Sequence, residues 1–228
     1  MLLSKPTVFT GVFPCGSPIH RNLSCPMSVS PRFDASVSLA TVPAPAMACK
    51  LLFDRDLYTP CHIRVPDVDH RLSAVYVDNQ FYSFLKVVPE ARKALDVVTR
   101  LSKRDHTAAL TQTRRGYAVW AYEPQARYAP PASSPGYGIQ PVFGPQDCLV
   151  VSDETAYQTC RLQVPDVTKP LMALTYNSRY YSFFKQDTDA AKVLDMAAKL
   201  ARRGDQTLLV VEPPTFTLAL LEPNGRLV

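Results

Sequence analysis

Nowhere in the 228 residues do roughly 18 or more apolar residues run together, so no segment is long enough to cross a bilayer as a helix, and a soluble protein is expected. Six cysteines are present, but none form the close CxxC pairs by which structural zinc sites announce themselves. No metal or cofactor is therefore expected. The chain has no GxxxxGK, and no GxGxxG follows a strand, which removes the common phosphate-cradling loops. His62, His70 and His106 are scattered, and no nucleophile and base accompany the carboxylates as a catalytic set. A non-catalytic protein is the expectation these absences favour.

Acidic residues are nearly missing from the first 47 positions, where Asp34 alone stands against Lys5, Arg21 and Arg32. The apolar residues of this stretch are broken repeatedly by Pro, Gly, Ser and Thr, which excludes the continuous apolar core of a secretory signal. A hydroxylated, basic, acid-poor leader matches an organelle transit peptide. Residues 1–48 are assigned to it, with the mature chain starting near Ala48 or Cys49. The many serines and few arginines point to a plastid, hence the chloroplast stroma, with the mitochondrial matrix as the alternative.

What is present is a duplication. Residues 49–127 align without a gap on residues 148–226, so that Cys49 and Cys61 fall on Cys148 and Cys160. The VPDV of 65–68 falls on 164–167, and the YSF of 82–84 on 181–183. Lys86, Lys93, Leu95, Asp96, Leu101, Arg104, Glu123, Pro124 and Arg127 also meet identical residues. The domains are therefore repeat 1 (49–127), a Pro- and Gly-rich linker (128–147) and repeat 2 (148–228).

Each repeat reads as an α+β unit with a mainly antiparallel sheet and one covering helix. Short strands are expected at 50–54 and 62–66, and a hairpin joins 72–77 to 81–87 through the polar turn DNQ. Ala91, Ala94, Leu95, Val98 and Leu101 then recur at helical spacing after Pro89. In repeat 2 the stripe is Ala190, Val193, Leu194, Ala197, Leu200 and Ala201, with Thr188 as the expected cap and Gly204 as the terminator. A terminal hairpin closes each unit. A unit of about 80 residues is marginal alone, so the copies are expected to pack as an internal pseudo-dimer related by a pseudo-two-fold axis.

Candidate functional residues fall into two groups. Arg100, Lys103 and Arg104 at the end of the first helix, joined by Arg114 and Arg115 at a hairpin tip, make a basic surface suited to an acidic protein or RNA. Asp67, Asp166, Lys86, Lys185, Glu123 and Glu222 recur between the copies and could line one groove at the repeat seam. The plain alternative for VPDV is a turn after a strand, and for the repeated aromatics Tyr82, Phe84, Tyr181 and Phe183 it is core packing. The leading expectation is a plastid protein-binding factor that helps assemble or regulate a larger complex. RNA binding through basic and aromatic side chains, and a small-molecule enzyme or binding protein with its site at the seam, are the alternatives.

Overall fold

A computed structural model describes residues 47–102, 107–131, 138–165 and 167–228. Most of the leader, together with Lys103, Arg104, His106 and Asp166, lies outside the described residues.

The first repeat forms β1 (Met47–Leu52), β2 (Thr59–Arg64), β3 (Leu72–Val77), β4 (Gln80–Val88), α1 (Ala91–Ser102), β5 (Ala108–Thr113), β6 (Gly116–Tyr122) and β7 (Arg127–Tyr128). The second repeats this as β8 (Cys148–Val151), β9 (Gln158–Gln163), β10 (Leu171–Tyr176), β11 (Arg179–Asp187), α2 (Ala190–Arg202), β12 (Thr207–Glu212), β13 (Thr215–Leu221) and β14 (Arg226–Leu227). The strands join into one sheet in the order β14-β9-β10-β11-β13-β12-β8-β1-β5-β6-β4-β3-β2-β7, which reads the same from either end once repeat equivalents are exchanged. The chain is thus an α+β tandem duplication arranged as a pseudo-dimer.

The two halves meet where β1 pairs antiparallel with β8, through Met47 with Val150, Ala48 with Leu149 and Cys49 with Cys148. Cys49 and Cys148 are repeat equivalents of each other, so the pseudo-two-fold axis passes between them. Met47, which is buried, and Ala48 belong to the seam strand, so β1 begins two residues ahead of the repeat start expected at Cys49. Within each half the first strand runs parallel to the fifth, β1 with β5 and β8 with β12, while every other pairing is antiparallel.

Local chemistry explains the elements. The hairpins β3–β4 and β10–β11 turn on two residues each, Asp78–Asn79 and Asn177–Ser178, all four at positive φ. That is the geometry that matches the twist of paired strands. Both α1 and α2 lie on one face of the sheet, where Leu95 and Leu194 pack into a single core with Cys49, Cys148, Leu110 and Leu209. The cap of α2 is Asp189 and not Thr188: its carboxylate accepts from the backbone N–H of Ala191 (3.0 Å) and Lys192 (3.4 Å). Asp outranks Thr as a cap and adds negative charge at the positive end of the helix dipole. At the other end Gly204 adopts φ +97° and donates to Ala201, while Asp205 donates to Leu200, a Schellman ending.

Two features depart from the expected linker at 128–147. Tyr128 joins Arg127 in β7, which pairs with β2. The segment before repeat 2 also docks: Asp78 donates its N–H to Val142 O and accepts from Gly144 N, and Lys50 reaches Pro145 O. Gly144 is required there, since a Cβ would fall 2.4 Å from Val77 Cγ2.

Candidate functional site

The VPDV turns have the plain form. Val68 N–H donates to Val65 O (3.3 Å) and Val167 N–H to Val164 O (3.1 Å), with Pro66 and Pro165 at the position their fixed φ suits. Asp67 is exposed. The strands feeding these turns, β2 and β9, stand near opposite ends of the sheet with ten strands between them. A groove shared across the seam by both VPDV motifs is therefore not assembled, because the topology sends the equivalent turns outward from the axis. Within each half, the VPDV segment instead faces the Glu-Pro segment after the last long strand. Pro66 and Pro124 line one cleft of about 630 Å³, and Pro165 and Pro223 line its equivalent of about 670 Å³.

Glu123 and Glu222 repeat one role. Each accepts a 2.7 Å hydrogen bond from a buried serine hydroxyl, Ser83 and Ser182 respectively. Lys86 and Lys185 are exposed and lie elsewhere along their strands: Lys86 is opposite Val119, whereas Glu123 N–H bonds to Phe81 O. At about 3.3 Å per residue the four steps from Val119 to Glu123 cover roughly 13 Å. Lys86 and Glu123 thus stand apart along the sheet.

The basic group also divides. Arg114 and Arg115 form the exposed turn between β5 and β6, and the adjoining Gly116 (φ +117°) presses on Val88 and Pro89, just ahead of α1. Arg100 sits in the last turn of α1, so a helix of 12 residues, about 18 Å long, separates the two ends of the proposed cluster. Lys103 and Arg104 are outside the described residues. Among the described residues Arg100, Arg114 and Arg115 have no ion-pair partner, whereas Arg202 of α2 crosses to repeat 1 and pairs with Asp54 and Asp56.

The seam holds the aligned cysteines of the two repeats and a partly buried lysine that the sequence did not single out. Cys49 and Cys148 are both free, fully buried thiols. Burial pushes Cys49 well above the usual thiol range and Cys148 up to about 12. Lys50, next along β1, bonds to Asp78 (2.6 Å) and Asp147 (3.0 Å). Burial disfavours its ammonium, but the two carboxylates outweigh that cost and hold the lysine above its usual value. Between the repeats, the first turns of α1 and α2 line a cleft of about 430 Å³ with Tyr117 and Phe216.

The face away from α1 and α2 carries a group of exposed apolar side chains. A bulge in β4 between Phe84 and Lys86 and its equivalent in β11 between Phe183 and Lys185 interrupt the strand alternation. Phe84, Leu85 and Val87 in one half, and Phe183, Phe184 and Met172 in the other, keep between 41% and 56% of their surface open. Tyr82 and Tyr181, two positions before the repeated phenylalanines, are fully buried, which is the core role expected of them. No helix among the described residues is long and apolar enough to cross a membrane, and no group of three or more metal-ligating side chains occurs among them. Comparison with protein-family models, with curated protein sequences and with solved structures finds no match.

Proposed function

We propose that the protein is a non-catalytic binding factor of the plastid stroma, with the mitochondrial matrix as the alternative compartment, which docks another protein and assists assembly or regulation of a larger complex. The observation that carries this reading is the repeated exposure of large apolar side chains at the two bulges, Phe84 with Leu85 and Phe183 with Phe184. Isolated exposed apolar residues are ordinary, but grouped aromatic ones are enriched where proteins meet. Duplication supplies the same patch twice on one sheet, so a partner that engages both gains from effective concentration.

The test is affinity recovery from organelle extract with the chain that begins at Met47, with and without RNase. Specific proteins that survive RNase support the reading. RNA recovered selectively, with proteins lost on RNase treatment, replaces it with RNA binding through Arg114 and Arg115.

A further inference from the structure

The two repeats differ sharply at one cross-strand pair. In repeat 1 Ala109 on β5 stands opposite Trp120 on β6, and in repeat 2 Leu208 on β12 stands opposite Ala219 on β13. The large and small residues have changed sides. Trp120 projects its indole along the uncovered face, edge-on to Phe84 at 5.4 Å, and donates Nε1–H to Thr111 Oγ1 (2.9 Å). The positions equivalent to those two neighbours are Phe183 and Val210, and both line an open cavity of about 230 Å³ in repeat 2. Leu208 lies fully buried beside Ala219, in one cluster with Leu174 and Val210, and is not among the residues that line the cavity.

Met172, Leu174, Phe183 and Val210 give the cavity an apolar wall, and Thr159, Gln186 and Thr217 add neutral polar side chains. One edge is different. Glu212, where repeat 1 has Thr113, is the single charged residue lining the cavity among the described residues, beside Tyr157, whose hydroxyl donates to its carboxylate. Among the described residues no basic side chain lines the space. We infer that this cavity is a binding site for a small aromatic amine, the ring seated between Phe183 and Val210 and the ammonium or N–H directed to Glu212. At this volume it falls below the roughly 300–1,000 Å³ of pockets for drug-sized molecules, which restricts the ligand to one or two fused rings. Trp120 points to the kind of occupant, because its ring neighbour Phe84 and its hydrogen-bond partner Thr111 have their equivalents, Phe183 and Val210, on the cavity wall. The cavity shares Phe183 and Met172 with the apolar patch, but ligand binding is measured on the purified chain without a partner, so its failure is distinguishable from failure of the docking reading.

Isothermal titration of the full chain with tryptamine, indole and indole-3-acetate tests this directly. Tryptamine is expected to bind about tenfold more tightly than indole, as a charge-assisted hydrogen bond allows, and the acetate to bind more weakly than either. Leu208→Ala with Ala219→Trp installs the repeat 1 pair in repeat 2 and should abolish binding of all three. Glu212→Gln, which preserves the acceptor for Tyr157, should reduce tryptamine to the affinity of indole while leaving indole unchanged. Absence of tryptamine binding at millimolar concentration would overturn the inference, as would tryptamine binding that the Glu212→Gln chain retains in full.

Discussion

Leu95 and Leu194 occupy equivalent places in α1 and α2, and both are fully buried in the one core that spans the seam. Truncating either to Ala removes apolar volume from a closed site, and such changes cost about 2–5 kcal/mol. Because the helices contact each other and both touch β1 and β8, the loss in one repeat should be felt by the whole sheet. For a chain of this size a cost of about 3 kcal/mol lowers Tm by roughly 6–12 °C. The chain contains a single tryptophan, Trp120, which sits in repeat 1 and reports locally. Thermal unfolding of Leu194→Ala, followed both by far-UV circular dichroism and by Trp120 fluorescence, should show one transition displaced equally in both signals. If the fluorescence transition stays at its wild-type temperature while the dichroism splits into two steps, the repeats are independent and the shared core does not couple them.

Four further outcomes follow from the same geometry. A chain beginning at Cys49 should be less stable than one beginning at Met47, since it loses two of the three seam pairs and the buried Met47 side chain, worth about 2 kcal/mol by area burial; denaturant titration of the two checks this. Iodoacetamide at pH 8 should leave Cys49 and Cys148 unmodified until the fold is opened, given their burial and raised pKa values, and should reach the half-buried Cys61 and Cys160 first, read peptide by peptide in mass spectra. Burial and the charge of Glu154 raise the Glu212 carboxyl above its ordinary 4.5, so the folded chain holds that proton more tightly than the unfolded one. Ionising Glu212 therefore lowers stability as pH rises from about 4.5 through the folded value, and Glu212→Gln should flatten that limb of the stability curve. Ser178 holds φ +59° in the β10–β11 turn; Ser178→Gly produces the favoured Asn-Gly pair and should raise stability by up to about 1 kcal/mol, visible as a higher denaturant midpoint.

The duplication, both hairpins and both helices were legible because they rest on local patterns that occur twice, each copy checking the other. The seam was not. Which strand β1 pairs with depends on contacts distant in sequence, and the four-residue parallel pairing with β5 has no turn chemistry to signal it. The self-pairing of Cys49 with Cys148 follows from symmetry only once β1 and β8 are known to be neighbours. The cap of α2 was misplaced by one residue because Thr188 and Asp189 both have capping side chains, and backbone geometry decides between them. Among candidate site residues, the identities of Glu123 and Glu222 across the repeats reflect buried hydrogen bonds to Ser83 and Ser182, which a linear motif cannot distinguish from a binding role. The exchange of Ala109 and Trp120 for Leu208 and Ala219 was visible in the aligned repeats, but its meaning required the strand register.

The apolar patches can be challenged without disturbing the core, because Leu85 and Phe184 are the extra residues at the two bulges and both are exposed. The decisive measurement compares RNase-resistant protein recovery from organelle extract by the wild-type chain and by the Leu85→Ser, Phe184→Ser double variant at matched Tm. Partners held by the first and lost by the second are the expected result. Equal recovery by both chains would contradict docking through the repeated patches.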